Sequence, residues 1–187
     1  MLDWIDSKLR CYRVVRGQRL RRNCISLLWV PMNVLFLDVD GVLNSDSWFS
    51  GPTNRDFPHG HLDPAAVARL ASIVVHPSVH VVLSSTWRRV MPLFELEALL
   101  LTKVDAFPMR KFLGVTPRIN GAPRGLEIQA WLDSWDMNPD GDDIDEIVIL
   151  DDEPDMLHLV PRLVRTDSAV GLTDADVVKV KCLLRIV

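Results

Sequence analysis

The chain has 187 residues, of which 48% are hydrophobic, and a formal net charge of −4 at pH 7. This length and composition predict one domain with a substantial core and exclude two independent domains of ordinary size. The three cysteines form neither an even-numbered framework nor a metal-binding spacing, so we expect a reducing, cytoplasmic location.

Residues 1–31 differ in charge from the rest of the chain. They carry a net charge of +5, which leaves −9 for residues 32–187. The apolar residues 25–30 have no small-residue cleavage site after them, and they continue into the strand that carries Asp38, so we do not predict a signal peptide. The apolar run 25–37 is interrupted by Pro31 and Asn33 and is too short for a membrane-spanning helix, so we predict a soluble protein with no membrane segment. We expect a basic N-terminal extension at 1–31 and one folded domain at 32–187. The extension is either a solvated arm or start-site artefact, or a segment that contacts nucleic acid or a partner.

The first predicted strand, residues 33–38, ends in two nearby carboxylates. Asp38 and Asp40 would lie on the same side if the extended geometry continues to Asp40, and Gly41 then lets the chain turn. Anions this close repel each other, and a divalent cation relieves the repulsion. The same pair also occurs in solvated turns, but here it ends a buried strand, where α/β proteins bind ligands.

Residues 44–62 are predicted to form a loop over this site. The loop contains Trp48, Phe49 and Phe57, which either grip a substrate or anchor the loop to the domain. His59 and His61 are better explained as surface residues than as metal ligands, because no third ligand is nearby.

A helix at 63–75 and a strand at 79–84 come next. This strand ends in Ser84 and Ser85, and Arg88 follows shortly after. Hydroxyls and a cation at a strand end suit a phosphate group. A helix at 91–101 and a strand at 103–107 are predicted beyond it.

A helix at 124–135 begins with Arg124, whose charge adds to the partial positive charge of a helix N-terminus. Trp131 and Trp135 are four residues apart on this helix, so core packing explains them best. A buried strand at 146–151 then ends in Asp151 and Asp152. The remaining predicted elements are a helix at 153–158, a strand at 162–166 and a helix at 173–185. This alternation predicts an α/β fold with a parallel sheet.

Four motifs in this order resemble those of the haloacid dehalogenase (HAD) superfamily. They are Asp38 with residues 39–43, Ser84, Arg124, and the pair Asp151 and Asp152. Residues 83–88, 124–128 with 131–132, and 166–167 followed by 171–173 are most similar to the small HAD phosphatase-like domains of bacterial and phage RNA-repair proteins. The resemblance covers residue 33 to the C-terminus. It implies a Rossmann-like three-layer sandwich, with the first strand central in a parallel sheet. No insertion is long enough for a large cap, so we expect a minimal cap or none.

The resemblance also implies roles for the acidic residues. Asp38 matches the nucleophile that forms an aspartyl-phosphate. Asp40 matches the general acid and base, and its backbone carbonyl joins Asp38 in holding Mg²⁺. Asp151 and Asp152 complete the metal shell directly or through water. Burial of Asp40 beside Asp38 would favour its protonated form.

The resemblance likewise implies which groups bind the phosphoryl oxygens. Ser84 would donate a hydrogen bond to them, and the nearby Ser85 and Arg88 are predicted to contact the substrate. Arg124 takes the place of the lysine that is usual in the superfamily, and its guanidinium still neutralises phosphate charge. Lys103 and Lys111 are alternative sources of that cation.

The sequence therefore leads to two hypotheses about function. The first is a Mg²⁺-dependent phosphatase that acts on a phosphorylated substrate, with nucleic-acid or nucleotide phosphate ends as one class. The second is a catalytically weak HAD-like module that binds phosphorylated ligands or a partner protein. The two carboxylates favour the first hypothesis, and the departure at Arg124 keeps the second open. A dehalogenase is disfavoured because such enzymes generally lack the second acid, Asp40.

Overall fold

The computed structural model describes residues 32–51, 61–105, 107–139 and 142–186. Five parallel strands form one sheet in the order β3-β2-β1-β4-β5. The strands are Met32–Leu37 (β1), Val79–Leu83 (β2), Phe112–Val115 (β3), Ile144–Asp151 (β4) and Leu163–Arg165 (β5). The helices are Asp46–Phe49 (α1), Pro64–Val74 (α2), Leu93–Lys103 (α3), Arg124–Asp136 (α4) and Asp174–Leu183 (α5), with 3-10 helices at Thr86–Arg89 and Leu157–Arg162. The predicted central position of β1 is confirmed.

Alternate side chains of β1 supply the cores on the two faces of the sheet. Leu35 and Leu37 belong to the cluster that includes buried residues of α2, α3 and α5. Val34 and Phe36 belong to a second cluster with Ile128 of α4. All four β1 side chains are fully buried, as expected for a parallel strand covered on both faces. The result is the predicted Rossmann-like three-layer arrangement.

The two tryptophans of α4 pack as predicted. The ring of Trp131 meets Phe36 edge-on at 5.5 Å and stacks on Trp135 at 5.1 Å. Both tryptophans are partly buried against the second cluster. Aromatic pairs at these separations add stability beyond their buried area, so they help hold α4 against the sheet.

Two predicted elements are wrong. The described residues of 103–107 do not form a strand, because α3 continues through Lys103 and the next strand is Phe112–Val115. That edge strand has four residues, none of them fully buried, and includes Gly114, so its pattern is weak. The helix predicted at 153–158 is replaced by the 3-10 helix Leu157–Arg162, which contains Pro161. A proline lacks the N–H that a longer α-helix needs.

The described residues between β1 and α2 are 38–51 and 61–63, which follow the carboxyl end of β1. These described residues contain the short helix α1 and no separate cap domain. Phe57 and His59 lie outside the described residues, as do residues 1–31, so the predictions for them stay predictions. No helix in the described ranges is long and apolar enough to span a bilayer.

Candidate active site

Three polar residues lie side by side at the carboxyl edge of the sheet. Leu37 is in register with Leu83 on one side and with Leu150 on the other. The next residue along each chain is therefore Asp38, Ser84 or Asp151. Backbone hydrogen bonds extend the pairing, from Ser84 N to Leu37 O at 2.8 Å and from Asp38 N to Leu150 O at 3.0 Å. Strand register thus brings together two acids and a serine that are far apart in sequence.

Asp38, Asp151 and Asp152 form a cluster that suits a metal ion. One carboxylate oxygen from each lies within 4.8 Å of the others. Asp38 and Asp151 are buried, and Oδ2 of Asp151 has no hydrogen-bond partner among the described residues. Oxygen ligands of this kind are the preferred ligands of Mg²⁺. Nη1 of Arg124 lies 3.0 Å from Oδ2 of Asp151, but this oxygen accepts no hydrogen bond from the described residues and so keeps lone pairs for a metal ion. The residues present therefore fit the predicted metal.

Gly41 is required for this geometry. Its φ is +69°, a conformation that side-chain-bearing residues rarely adopt. A Cβ atom at this position would lie 2.4 Å from Cγ of Asp152. The turn after β1 therefore depends on glycine to bring the backbone against the acidic pair at the end of β4.

Arg124 extends into the acidic cluster from the first residue of α4. Its Nη1 lies 2.7 Å from Oδ2 of Asp38 and 3.0 Å from Oδ2 of Asp151, and it also donates a hydrogen bond to the carbonyl of Ser84. The start of α4 is held by a hydrogen bond from Arg124 N to Asp155 at 2.9 Å. Gly125 allows the close approach, because a Cβ there would lie 2.4 Å from the carbonyl oxygen of Met156.

Burial and mutual repulsion perturb the ionisation of the cluster. Burial and then the charge of Asp38 raise the pKa of Asp151 to about 8. Burial also raises the pKa of Asp38, although Arg124 and hydrogen bonds from Ser85 and Val39 oppose this. Strongly perturbed carboxylates beside one cation at a strand end are typical of functional sites.

The pKa of Arg124 is raised as well, which favours its charged form. Burial alone would lower the pKa of Arg124, but Asp38, Asp151 and Asp155 raise it above its ordinary value. The guanidinium therefore stays charged inside the cluster.

Asp40 lies at the rim of the site instead of in the cluster. The strand ends at Leu37, and Asp40 stands in a turn with its side chain exposed. The expectation that Asp40 is buried beside Asp38 is therefore wrong, because the extended geometry does not continue. The Asp40 carboxylate instead accepts hydrogen bonds from Trp87 Nε1 at 2.8 Å and from Asn44 Nδ2 at 2.9 Å. No pattern in the sequence indicated that Trp87 or Asn44 would hydrogen-bond to Asp40.

The hydroxyl groups after β2 and β3 have different environments. The hydroxyl of Ser85 hydrogen-bonds to Asp38 and also accepts a hydrogen bond from Trp87 N at 3.3 Å. Ser84 Oγ is buried without a partner among the described residues, as is Thr116 Oγ1 on the neighbouring strand end. Thr116 follows Val115, the register partner of Leu83, so the row of polar residues extends to β3. Sequence inspection missed Thr116 because the edge strand was not predicted.

Arg88 is engaged with protein groups. Its Nη2 lies 2.6 Å from Oε2 of Glu127, and its Nη1 donates to the carbonyl of Ser85 at 2.8 Å. Glu127 in turn accepts a hydrogen bond from Ile119 N at 2.9 Å. Binding of substrate by Arg88 stays a prediction. Glu127 was missed because an acid in the first turn of a helix is usually explained by the helix dipole.

The alternative cations lie away from the cluster. The ammonium of Lys111 donates to the carbonyls of His76 and Val79 at 2.9 and 3.2 Å, near the start of β2. Lys103 is the last residue of α3, where the chain turns back towards the start of β3. Both positions are at the edge of the parallel sheet opposite to Asp38. Arg124 is thus the candidate cation whose side chain meets Asp38.

The region after β5 braces the turn that follows β1. Thr166 Oγ1 donates to the carbonyl of Gly41 at 2.9 Å, and Leu172 N donates to that of Val42 at 2.9 Å.

The predicted loop at 44–62 contains one aromatic contact among its described residues that involves Phe49. The Phe49 side chain is exposed and meets His61 edge-on at 5.3 Å. Both predicted roles of the aromatic residues stay predictions.

Comparison with protein families identifies the chain. A family model described as the HAD domain in Swiss Army Knife RNA repair proteins matches residues 34–177. The chain belongs to this family. The match includes all four predicted motifs and confirms the resemblance drawn from them. Searches of curated proteins and of solved structures gave no significant match.

Membership of the HAD family indicates a phosphohydrolase type of function, and the three clustered aspartates offer a place for a metal ion. The HAD superfamily generally uses Mg²⁺, which agrees with the oxygen-only ligand set.

Proposed function

We propose that the protein is a Mg²⁺-dependent phosphatase that acts through an aspartyl-phosphate on Asp38. The observation that supports this most strongly is the position of Asp38 at a strand end, 2.7 Å from the guanidinium of Arg124 and within the cluster of three aspartates. A nucleophilic carboxylate needs nearby positive charge, because it would otherwise repel a phosphate dianion. Bound Mg²⁺, held by Asp38, Asp151, Asp152 and the backbone carbonyl of Asp40, would supply most of that charge.

The chain's own residues account for the first half of the reaction. An oxygen of Asp38 attacks phosphorus, which forms the aspartyl-phosphate and breaks the bond to the leaving alkoxide. Arg124 neutralises the equatorial phosphoryl oxygens, and its buried stem holds the guanidinium in place. The hydroxyls of Ser84 and Ser85 orient the same oxygens. The unpartnered hydroxyl of Ser84 is available for this role.

Asp40 is the proton carrier in this proposal. Trp87 and Asn44 hold its carboxylate at the exposed rim, where a leaving group and then water would pass. The acid form of Asp40 protonates the leaving alkoxide, and its carboxylate later takes a proton from the water that hydrolyses the aspartyl-phosphate. The exposed position makes proton exchange with solvent possible between the two steps.

We propose that the substrate is a phosphorylated nucleic-acid end. The family to which the chain belongs is described from RNA repair proteins. The described residues between β1 and α2 form no cap domain, which supports a large substrate. Both observations favour a polynucleotide end over a fully enclosed metabolite.

The test is phosphate release by the purified chain from an aryl phosphate, with Mg²⁺ or with EDTA. Asp38→Asn keeps the shape of the side chain but removes the nucleophile, so we expect no turnover and an unchanged far-UV spectrum. Asp145→Asn, at an exposed position near the start of β4, is the matched control and should keep full activity. Turnover by Asp38→Asn at the rate of the unmodified protein would contradict the mechanism.

A second candidate function is a module that binds phosphorylated ligands without turnover. It is favoured by one observation, that Nη1 of Arg124 contacts both Asp38 and Asp151 and so pairs these acids without a metal. In that case Mg²⁺ would not change the melting temperature, and phosphorylated ligands would bind without phosphate release. The same samples used for the activity test distinguish the two functions.

A further inference from the structure

A pocket of about 210 Å³ adjoins the candidate active site on the side of Arg124. The 3-10 helix after β2 forms one wall, and the loop before α4 forms another. The cations in its lining are Arg88, Arg89, Arg118 and Arg124, opposed by only two carboxylates, Glu127 and Asp155. The pocket is therefore positively charged and opens beside the cation that contacts the proposed nucleophile.

Two of the four arginines form ion pairs with acids, and among the described residues the other two do not. Arg88 pairs with Glu127, and Arg124 pairs with Asp38 and Asp151. The side chains of Arg89 and Arg118 are exposed and make no ion pair or hydrogen bond within the described part of the chain. Two guanidinium groups that line one pocket without an acidic partner favour an anion between them.

A buried ion pair holds the two walls of this pocket together. Arg88 and Glu127 are 2.6 Å apart, and their side chains are 11% and 10% exposed. Arg88 is the neighbour of Arg89, and Glu127 accepts a hydrogen bond from Ile119 N, next to Arg118. Burying an ion pair costs desolvation energy, and breaking it costs more. The pair therefore fixes the backbones that carry Arg89 and Arg118 relative to each other.

We propose that Arg89 and Arg118 bind a second phosphate of the substrate, the phosphodiester next to the terminal phosphate that Asp38 attacks. This inference rests on the proposed function and deepens it. Planar guanidinium groups match phosphate oxygens, and such contacts position a nucleic acid without reading its bases. The second phosphate distinguishes a nucleic-acid end from a small monophosphate ester. A nucleoside bisphosphate also carries a second phosphate, as a monoester instead of a phosphodiester, so both are included in the test.

The experiment compares kcat/KM for phosphate release from three kinds of substrate. These are an aryl monophosphate, a nucleoside bisphosphate, and short oligonucleotides phosphorylated at the 3′ or the 5′ end. The variants are Arg89→Gln and Arg118→Gln. The matched control is Arg110→Gln, an exposed arginine just before β3 at the opposite edge of the sheet.

We expect each pocket variant to lower kcat/KM for the preferred oligonucleotide about tenfold and to weaken its salt dependence. Activity on the aryl phosphate should stay within about twofold, because that substrate has no second phosphate. The control should match the unmodified protein on all substrates. Unchanged oligonucleotide turnover in both pocket variants would overturn the inference, and so would equal losses on every substrate. A loss for the bisphosphate alone would overturn the assignment to a nucleic-acid end.

Failure of the proposed function would be recognised separately. If the unmodified protein hydrolyses none of the substrates with Mg²⁺, the phosphatase proposal is wrong, and binding of labelled 3′- and 5′-phosphorylated oligonucleotides is then measured by fluorescence anisotropy. Weaker binding by Arg89→Gln and Arg118→Gln than by Arg110→Gln would still support the phosphate-binding pocket. Equal binding by all three variants would overturn it.

Discussion

Replacement of Arg124 by alanine tests the electrostatics of the site most directly. The guanidinium lies 2.7 Å from Asp38 and 3.0 Å from Asp151, and its side chain is only 16% exposed. With an effective dielectric constant of about 20, these separations correspond to gross attractions of about 6 and about 5.5 kcal/mol. Desolvation offsets much of this. Removing one partner of a buried ion pair nonetheless destabilises a protein by about 3–5 kcal/mol, because buried charge is left uncompensated.

We therefore expect Arg124→Ala to lower the free energy of unfolding by about 3 kcal/mol without metal above the pKa of Asp151. The loss should be smaller in more acidic buffer, because Asp38 and Asp151 are then protonated and need no cation. It should also be smaller with millimolar Mg²⁺, which replaces the missing positive charge. Urea denaturation above the pKa of Asp151 and in more acidic buffer, each with and without Mg²⁺, measures these differences in the free energy of unfolding. Arg69→Ala breaks an exposed pair with Asp174 and serves as the control, with an expected loss below about 1 kcal/mol.

The same substitution should reduce catalysis. In Arg124→Ala, kcat/KM on an aryl phosphate should fall about a hundredfold or more, the range for removal of one transition-state donor. Arg124→Lys should retain much of the activity, since the superfamily generally uses lysine here. The reasoning is refuted if Arg124→Ala matches the unmodified protein in both stability and activity. If Lys103→Ala or Lys111→Ala loses activity instead, that lysine and not Arg124 supplies the cation that neutralises the phosphate.

Three further predictions concern the acidic cluster. Millimolar Mg²⁺ should raise the melting temperature of the unmodified protein, and the shift should shrink in an Asp151→Asn/Asp152→Asn double variant; an identical shift would place the metal elsewhere. Because the pKa of Asp151 is raised to about 8, the native state binds more protons than the unfolded state between about pH 4 and pH 8. The free energy of unfolding of the metal-free protein, measured by urea denaturation, should therefore fall as the pH rises through this window. If it rises instead, Asp151 is not buried with a raised pKa in the metal-free protein. Gly41→Ala should cost about 1–3 kcal/mol of stability and weaken the Mg²⁺-induced shift, because its φ is positive and a Cβ would meet Asp152; an unchanged melting curve and shift would show that the turn adapts.

Much of the fold was predictable because the central strands have strong local patterns. The apolar runs before Asp38, Ser84 and Asp151 indicated buried parallel strands, and each strand was found within two residues of its predicted bounds. The edge strand Phe112–Val115 was missed because a short, half-exposed strand that contains a glycine has little pattern of its own. Its position depends on pairing with β2, which is a long-range interaction.

The sequence by itself determined which residue types end the central strands and, through the four ordered motifs, the family to which the chain belongs. Only the tertiary structure decided which of those residues meet. Register aligned Asp38 with Ser84 and Asp151, and the start of α4 selected Arg124 over the two lysines. The physical reason is that strand ends and burial follow from local patterning, whereas strand order, turn direction and ion pairing depend on contacts between distant segments.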